Sequence, residues 1–190
     1  VTAPTDLTAL HDRLLRSAER EGLLDVAYRT MDSPVGTLLL AATDVGVVRV
    51  AFDVEGHDSV LAMLATRISP RILKAHGRLD PVARSLDAYF AGTGRRMDFA
   101  VDLQLASGFR RDVLGRLQQI PYGSTRSYAA IAAETASPGA VRAVGSACAH
   151  NPLPLVIPCH RVVRSDGSPG RYVGGEDAKL ALLALESSPR

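Results

Sequence analysis

The stretch SPVGTLLLAATDVGVVRVAF, residues 33–52, restricts the fold of this chain more than any other. Two apolar, β-rich runs, about 35–42 and 46–52, flank TDVG, whose Asp and Gly suit the tight turn of a hairpin. A run around Val26 to Thr30 can add a third strand. Residues 57–68 and 80–91 carry helical patterns, the second opening on Asp80-Pro81, a capping residue followed by proline at the first helical position. Ahead of the sheet, residues 5–24 predict a helix with Leu7, Leu10, Leu14 and Leu15 on one stripe. AGTGRRMDFAVDLQ, residues 91–104, predicts a turn and a short strand. The first half therefore predicts a small α/β unit built on an antiparallel sheet.

The pattern changes after QLASG. GFRRDVLGRLQQI puts Phe109, Val113, Leu114 and Leu117 on one helical face, and PYGST ends it. SYAAIAAETA predicts a short helix capped by Thr125 or Ser127. SPG breaks that helix, and AVRAVGSACAHN follows as another. The pair, 127–136 and 140–150, has the form of a helix-turn-helix. Its second helix is nearly all small residues with one long cation, Arg142. A major-groove reader normally carries several long polar side chains. This helix suits close approach to a backbone or a base plane, or simply tight packing. PLPLVIP is too proline-rich for a regular strand. RSDGSPGRYVGG is a Gly-rich loop, and EDAKLALLALE closes the chain as an amphipathic helix.

Composition narrows the function classes. With 46% hydrophobic and 22% charged residues the 190-residue chain can pack a core. No apolar run approaches the roughly 20 residues of a membrane span. The charged N-terminus has no signal-peptide block, which predicts a cytoplasmic protein. Cys148 and Cys159 are the two cysteines, too few for a disulfide framework, and the five histidines show no metal-ligand spacing. The net charge of +2 is uneven. From Leu105 to Arg190 ten Lys and Arg stand against six Asp and Glu, and before Leu105 twelve stand against fourteen. The basic half hints at an anionic partner.

Cys159 lies in NPLPLVIPCHRVV, between a proline and His160. A cysteine in an apolar run is often a core residue. As a nucleophile it needs a base, because its thiol is mostly protonated at neutral pH. His160 is adjacent, but neighbouring side chains diverge, so a bridging water is needed if contact is not direct. Glu186 is a candidate to orient the imidazole, and Asn151 and Arg161 are further polar groups near the motif.

NPLPLVIPCHRVV resembles the active-site segment of the O6-alkylguanine-DNA alkyltransferases, whose signature is a PCHRV core. The resemblance extends to IPYGSTRSYAAIA, AVRAVGSACAHNP, GSPGRYVGG and KLALLALE, and upstream to SPVGTLLLAATDVGVVRVAF, covering about residues 28–186. It implies an α/β (α+β) fold. A small N-terminal domain with an antiparallel sheet and flanking helices, ribonuclease H-like, precedes a mostly helical, winged-helix-like C-terminal domain with a helix-turn-helix. The expected division is a helical extension at 1–25, an α/β domain at 26–104 and a DNA-binding, alkyl-accepting domain at 105–190.

The implied activity is direct-reversal DNA repair. The protein flips O6-alkylguanine out of duplex DNA and moves the alkyl group irreversibly to its own cysteine. Residue by residue, the resemblance makes Cys159 the acceptor and His160 the histidine that deprotonates it through water. Glu186 becomes the orienting carboxylate, Asn151 the hinge, and Arg142 the finger that fills the gap left by the base. Tyr128 rotates the target phosphate and donates a proton toward guanine N3. Arg126, Ala140, Ala143 and Gly145 join Arg142 and Tyr128 on the DNA face. Pro154, Val162, Gly170, Tyr172 and Val173 line the base pocket, with the Val173 N–H toward O6. Ser168-Pro169-Gly170-Arg171 is bulkier than the loop of many relatives, which puts alkyl-size preference in question. Cys148 reads as a packing residue on the second helix. The expected partner is double-stranded DNA containing O6-alkylguanine, met by a monomer, with clustering on DNA left open. No metal, nucleotide or other cofactor and no membrane is implied, and in a bacterium the protein would sit on the nucleoid. The alternatives are a non-enzymatic sensor of alkyl damage, whose known examples lack the cysteine, and a Cys–His hydrolase unrelated to DNA.

Overall fold

The computed structural model describes residues 7–188. Residues 5 and 6 of the predicted first helix therefore lie outside the described residues. Helix α1 (Leu7–Arg20) precedes three strands, β1 (Val26–Met31), β2 (Leu38–Ala42) and β3 (Val47–Phe52). Then come a 3-10 turn at Asp53–Glu55, α2 (His57–Arg67), β4 (Ile72–Lys74) and α3 (Asp80–Phe90). The second half holds α4 (Gly108–Leu117), β5 (Arg126–Ser127), α5 (Tyr128–Ala133) and α6 (Val141–Ala149). It ends with a 3-10 turn at Cys159–Arg161, β6 (Val162–Val163) and α7 (Glu176–Ser187).

The hairpin forms as expected. β2 pairs antiparallel with β1 and with β3, with a bulge at Ala41/Ala42. Every residue of β2 and β3 is buried, because both faces of the sheet are covered. Leu39, Ala41, Val48 and Ala51 pack with Val60 and Leu64 of α2. Leu38, Leu40, Val50 and Phe52 share one core with Leu79, Val82 and Leu86 and with Leu114, Leu117, Ile131 and Val144 of the second half. A continuous apolar run is what two covered faces require.

Three local expectations are corrected. The sheet is mixed, in the order β3-β2-β1-β4, because β4 joins β1 in parallel with Val26 opposite Ile72. The segment 91–104 forms no strand and makes a single parallel bridge, Val47 to Val101. There the chain crosses so close that a Cβ at Gly46 would collide with the Ala100 carbonyl, which reserves that turn for glycine. Asp80 does not cap α3; it sits inside the helix and pairs with Arg29 across 2.6 Å. On α1, whose facing the sequence left open, most of the apolar stripe points outward. The helix docks through Leu15 and Ala18, with His11 on the Lys74 carbonyl, leaving Leu7, Leu10 and Leu14 exposed.

In the second half, Ser127 caps α5 by accepting from the Ala130 amide at 3.0 Å. α5 and α6 form the helix-turn-helix around Ser137 to Gly139, and β5 pairs in parallel with β6 beside them. PLPLVIP forms no strand; it folds into turns that bury Leu153, Leu155 and Ile157. No described helix is long and apolar enough to cross a membrane.

Candidate active site

Cys159 opens a 3-10 turn whose three residues, Cys159, His160 and Arg161, are all buried. The approach to it is anchored by Asn151, just beyond α6. Its Oδ1 accepts from the Leu153 amide at 3.0 Å, and its Nδ2 donates to the Ile157 carbonyl at 2.8 Å and to Cys159 Sγ at 3.1 Å. One side chain thus fixes both ends of the 153–157 loop and touches the thiol. The loop between them includes Leu155 at φ 71°, an unusual left-handed leucine.

Cys159 is 2% exposed. Burial pushes its thiol up to about 11, against the Asn151 hydrogen bond and the charge of Lys179, which pull it down. At pH 7 only about one molecule in ten thousand carries a thiolate. The site therefore cannot rely on a preformed nucleophile, and needs a base.

His160 supplies the geometry of one. Its Nε2 donates to Glu186 Oε1 at 2.9 Å, and its buried Nδ1 has no hydrogen-bond partner among the described residues. Burial pushes Glu186 up, but hydrogen bonds from His160 and Arg161 outweigh it and hold the carboxyl well below the usual range. An ionised Glu186 assigns the proton to Nε2 and leaves a lone pair on Nδ1. Burial lowers the imidazole below its ordinary value, against the pull of Glu186, so it is neutral at pH 7.

Glu186 accepts from three residues besides His160. Arg161 donates Nε to Oε2 at 2.8 Å and Nη2 to Oε1 at 2.9 Å. Tyr89 Oη donates to Oε1 at 2.7 Å and the Gly123 amide to Oε2 at 3.2 Å. Burial, and then the charge of Glu186, keep Tyr89 protonated by raising its phenol. Lys179 Nζ donates to the Val162 carbonyl at 2.6 Å and stands 5.8 Å from the centre of the Tyr128 ring. Tyr128 is pushed up to about 12, chiefly by burial, and so holds its proton.

The 168–174 loop packs against this cluster. A Cβ at Gly170 would lie 2.9 Å from Tyr128 Oη, so the loop passes directly against that phenol. Tyr172 packs edge-on against His160, 6.2 Å between centroids. Its buried hydroxyl has no hydrogen-bond partner among the described residues. Pro154 and Val162 are buried below, while Val173 is half-buried and Arg171 exposed.

The structure brings Cys159, His160, Glu186, Asn151, Tyr128, Tyr172 and Gly170 into this one region. The expected DNA residues lie on β5 (Arg126), on α5 and α6 and in the turn between those helices. Arg142 and Ala143 are exposed, and Ala140 and Gly145 half-buried. Arg126 is not free, because it pairs with Glu134. Cys148 faces the core, and its thiol is raised by burial.

Sequence reasoning missed three groups. Tyr89 comes from the first half and carries no local signal. Arg161 stood in the motif without a role. Lys179 had a readable signal: the buried positions of α7 are Ala178, Lys179, Leu182 and Glu186, so two opposite charges occupy a core-facing stripe.

Comparison with known proteins followed the two halves. The family model described as the ribonuclease-like domain of 6-O-methylguanine DNA methyltransferase matches residues 26–105, and that described as its DNA binding domain matches residues 108–188. The methylated-DNA–protein-cysteine methyltransferase of Mycobacterium tuberculosis is 42% identical over 171 residues, spanning 86% of this chain and 93% of the relative. That of Methanosarcina acetivorans is 34% identical over 85% of this chain and 98% of its own length. The crystal structure of Mycobacterium tuberculosis O6-methylguanine methyltransferase superimposes with a TM-score of 0.76 at 37% identity, covering 86% of this chain and 95% of that one. The structure of Mycobacterium tuberculosis OGT in complex with DNA gives 0.73 at 37% identity, over 85% and 92%.

Proposed function

The chain belongs to the 6-O-methylguanine DNA methyltransferase family, and from that premise we propose how its own residues carry the reaction. It is a methylated-DNA–protein-cysteine methyltransferase of direct-reversal repair, and DNA is its partner. Our reading assigns O6-alkylguanine as the lesion and Cys159 as the acceptor.

Arg142, at the exposed start of α6, enters the duplex and fills the space of the flipped nucleotide. The small residues around it, Ala140, Ala143 and Gly145, let the helix lie close to the DNA. Arg126 contributes to the phosphate contacts by exchanging Glu134 for a phosphate. The base enters between Tyr128 and the 170–173 loop, where the Val173 amide meets O6. Pro154 and Val162 form the apolar floor for the alkyl group.

His160 Nδ1 then takes the Cys159 proton through a water, Glu186 stabilising the imidazolium through Nε2. The thiolate sulfur attacks the alkyl carbon, a C–S bond forms and the C–O6 bond breaks. The electron pair stays on guanine, which is neutralised by a proton delivered toward N3 from Tyr128. Tyr128 is reprotonated in turn from the site, so the net proton transfer is from thiol to guanine. The product thioether is a poor leaving group, and each molecule acts once.

One observation carries the reading: a buried Cys159 beside a histidine whose Nε2 is fixed on Glu186 and whose buried Nδ1 has no partner among the described residues. We keep the division into 1–25, 26–104 and 105–190 as part of the proposal, with a monomer acting on DNA in the cytoplasm. The damage-sensor alternative has no use for this acceptor machinery. Intact-protein and peptide mass spectrometry after incubation with an O6-methylguanine duplex tests it. The expected result is one methyl per molecule, on Cys159, and none in Cys159→Ala. A folded, DNA-binding sample that gains no methyl, or gains it elsewhere, refutes the assignment.

A further inference from the structure

Phe52 ends β3 in the first half of the chain, 2% exposed, yet its ring meets the pocket loop of the second half. It packs edge-on against Tyr172, 5.5 Å between centroids at 73°. A Cβ added at Gly174 would stand 2.8 Å from three atoms of the same ring, closer than real Cβ contacts come. Phe52 therefore touches the residues on both sides of Val173, and its presence explains why position 174 is glycine.

The same strand end also holds the opposite wall. The Val50 amide donates to the Pro152 carbonyl at 2.9 Å, and Arg49 Nη1 donates to it at 3.1 Å. Pro152 directly follows Asn151, which holds Cys159 Sγ. Arg49 pairs with Glu55, and Glu55 Oε1 accepts from the Phe52 amide at 2.9 Å. A short, partly buried strut thus runs from the acceptor side, through Arg49 and Glu55, to the ring against the loop.

We propose that Phe52, which lies outside the DNA-binding half, is a positioning residue that sets how far the pocket loop stands from Cys159, and so decides which O6 substituents fit. The proposal rests on the pocket reading given above. A smaller side chain at 52 lets the loop settle away from the acceptor and admits a larger group. A larger residue at 174 forces the loop off the ring and displaces the Val173 amide.

The test is a double-mutant cycle of Phe52→Leu and Gly174→Ala. Single-turnover transfer is measured from duplexes carrying O6-methylguanine or O6-benzylguanine, with each variant's folded fraction fixed by DNA binding. Phe52→Leu is expected to raise the benzyl-to-methyl rate ratio severalfold. Gly174→Ala is expected to slow both substrates by about tenfold or more, since small misplacements of a reacting site are costly. The double variant is expected to recover most of the methyl rate, because the ring that the added methyl at position 174 would strike is gone. An unchanged ratio in Phe52→Leu overturns the proposal, as does a double variant whose loss is the product of the two single losses. Methylation of wild type at Cys159 in the same assay shows that such a failure belongs to Phe52 alone. Wild type methylated at another residue would bring down the pocket reading and this proposal with it.

Discussion

Replacing Glu186 by glutamine keeps the side chain's shape and removes its charge. Every partner of this carboxylate is a donor: His160, Arg161 and Tyr89 meet Oε1, and Arg161 and Gly123 meet Oε2. Whichever way the glutamine amide is turned, its NH2 confronts at least two donors. Arg161 is buried and loses its counter-charge, retaining the Ile120 carbonyl at 2.6 Å. Breaking a buried ion pair by removing one partner costs about 3–5 kcal/mol. For a chain of this length that lowers the melting temperature by about 6–20 °C. Urea unfolding of wild type and Glu186→Gln at pH 7 measures it. The sign with pH follows from the lowered carboxyl: its stabilisation is complete above the unfolded value of about 4.3 and is lost as pH falls toward the folded one. The gap between wild type and variant should therefore close in acid. A loss under about 1 kcal/mol at pH 7, or a gap that widens in acid, would refute the reasoning, because the carboxylate would then not be anchoring Arg161.

Two further outcomes follow from other parts of the site. Burial raises the Cys159 thiol to about 11, so its contribution to stability is complete below the unfolded value of about 8.5 and fades as pH rises toward about 11. Urea unfolding of wild type against Cys159→Ala should show wild type losing about 3 kcal/mol relative to the variant over that range; parallel curves would contradict the buried, protonated thiol. Arg142→Ala should slow repair of duplex DNA much more than transfer from the free alkylated base, measured side by side in single turnover, and equal losses on both substrates would remove its role in base flipping.

The parts of the fold legible in the sequence are those whose cause is local. The hairpin at 35–52 and the Ser127 cap each need only a few neighbouring residues to specify them. β4 escaped because three residues, Ile72 to Lys74, hold too little periodicity to read; its pairing with Val26 to Tyr28 is set by where α2 returns the chain. The outward setting of Leu7, Leu10 and Leu14 was not legible for a related reason: a stripe gives a helix its amphipathic face but not what that face will meet. The motif was legible in Cys159 and His160, and the family resemblance pointed to Glu186, but the electrostatic frame was not. Tyr89 lies 97 positions before Glu186, and Arg49 lies 103 before Pro152. Such pairs leave no pattern along the chain, since Tyr89 and Glu186 lie on separate helices and Arg49 lies on a strand far in sequence from the Pro152 loop. Their effect is to make the acceptor site depend on both halves. Tyr89 helps to orient the carboxylate that orients His160, and Arg49 braces the turn that Asn151 hangs from. A buried thiol raised to about 11 tolerates little misplacement of its base, and the first half of the chain, which carries neither the acceptor nor the helix-turn-helix, supplies part of the frame that holds base and thiol in register.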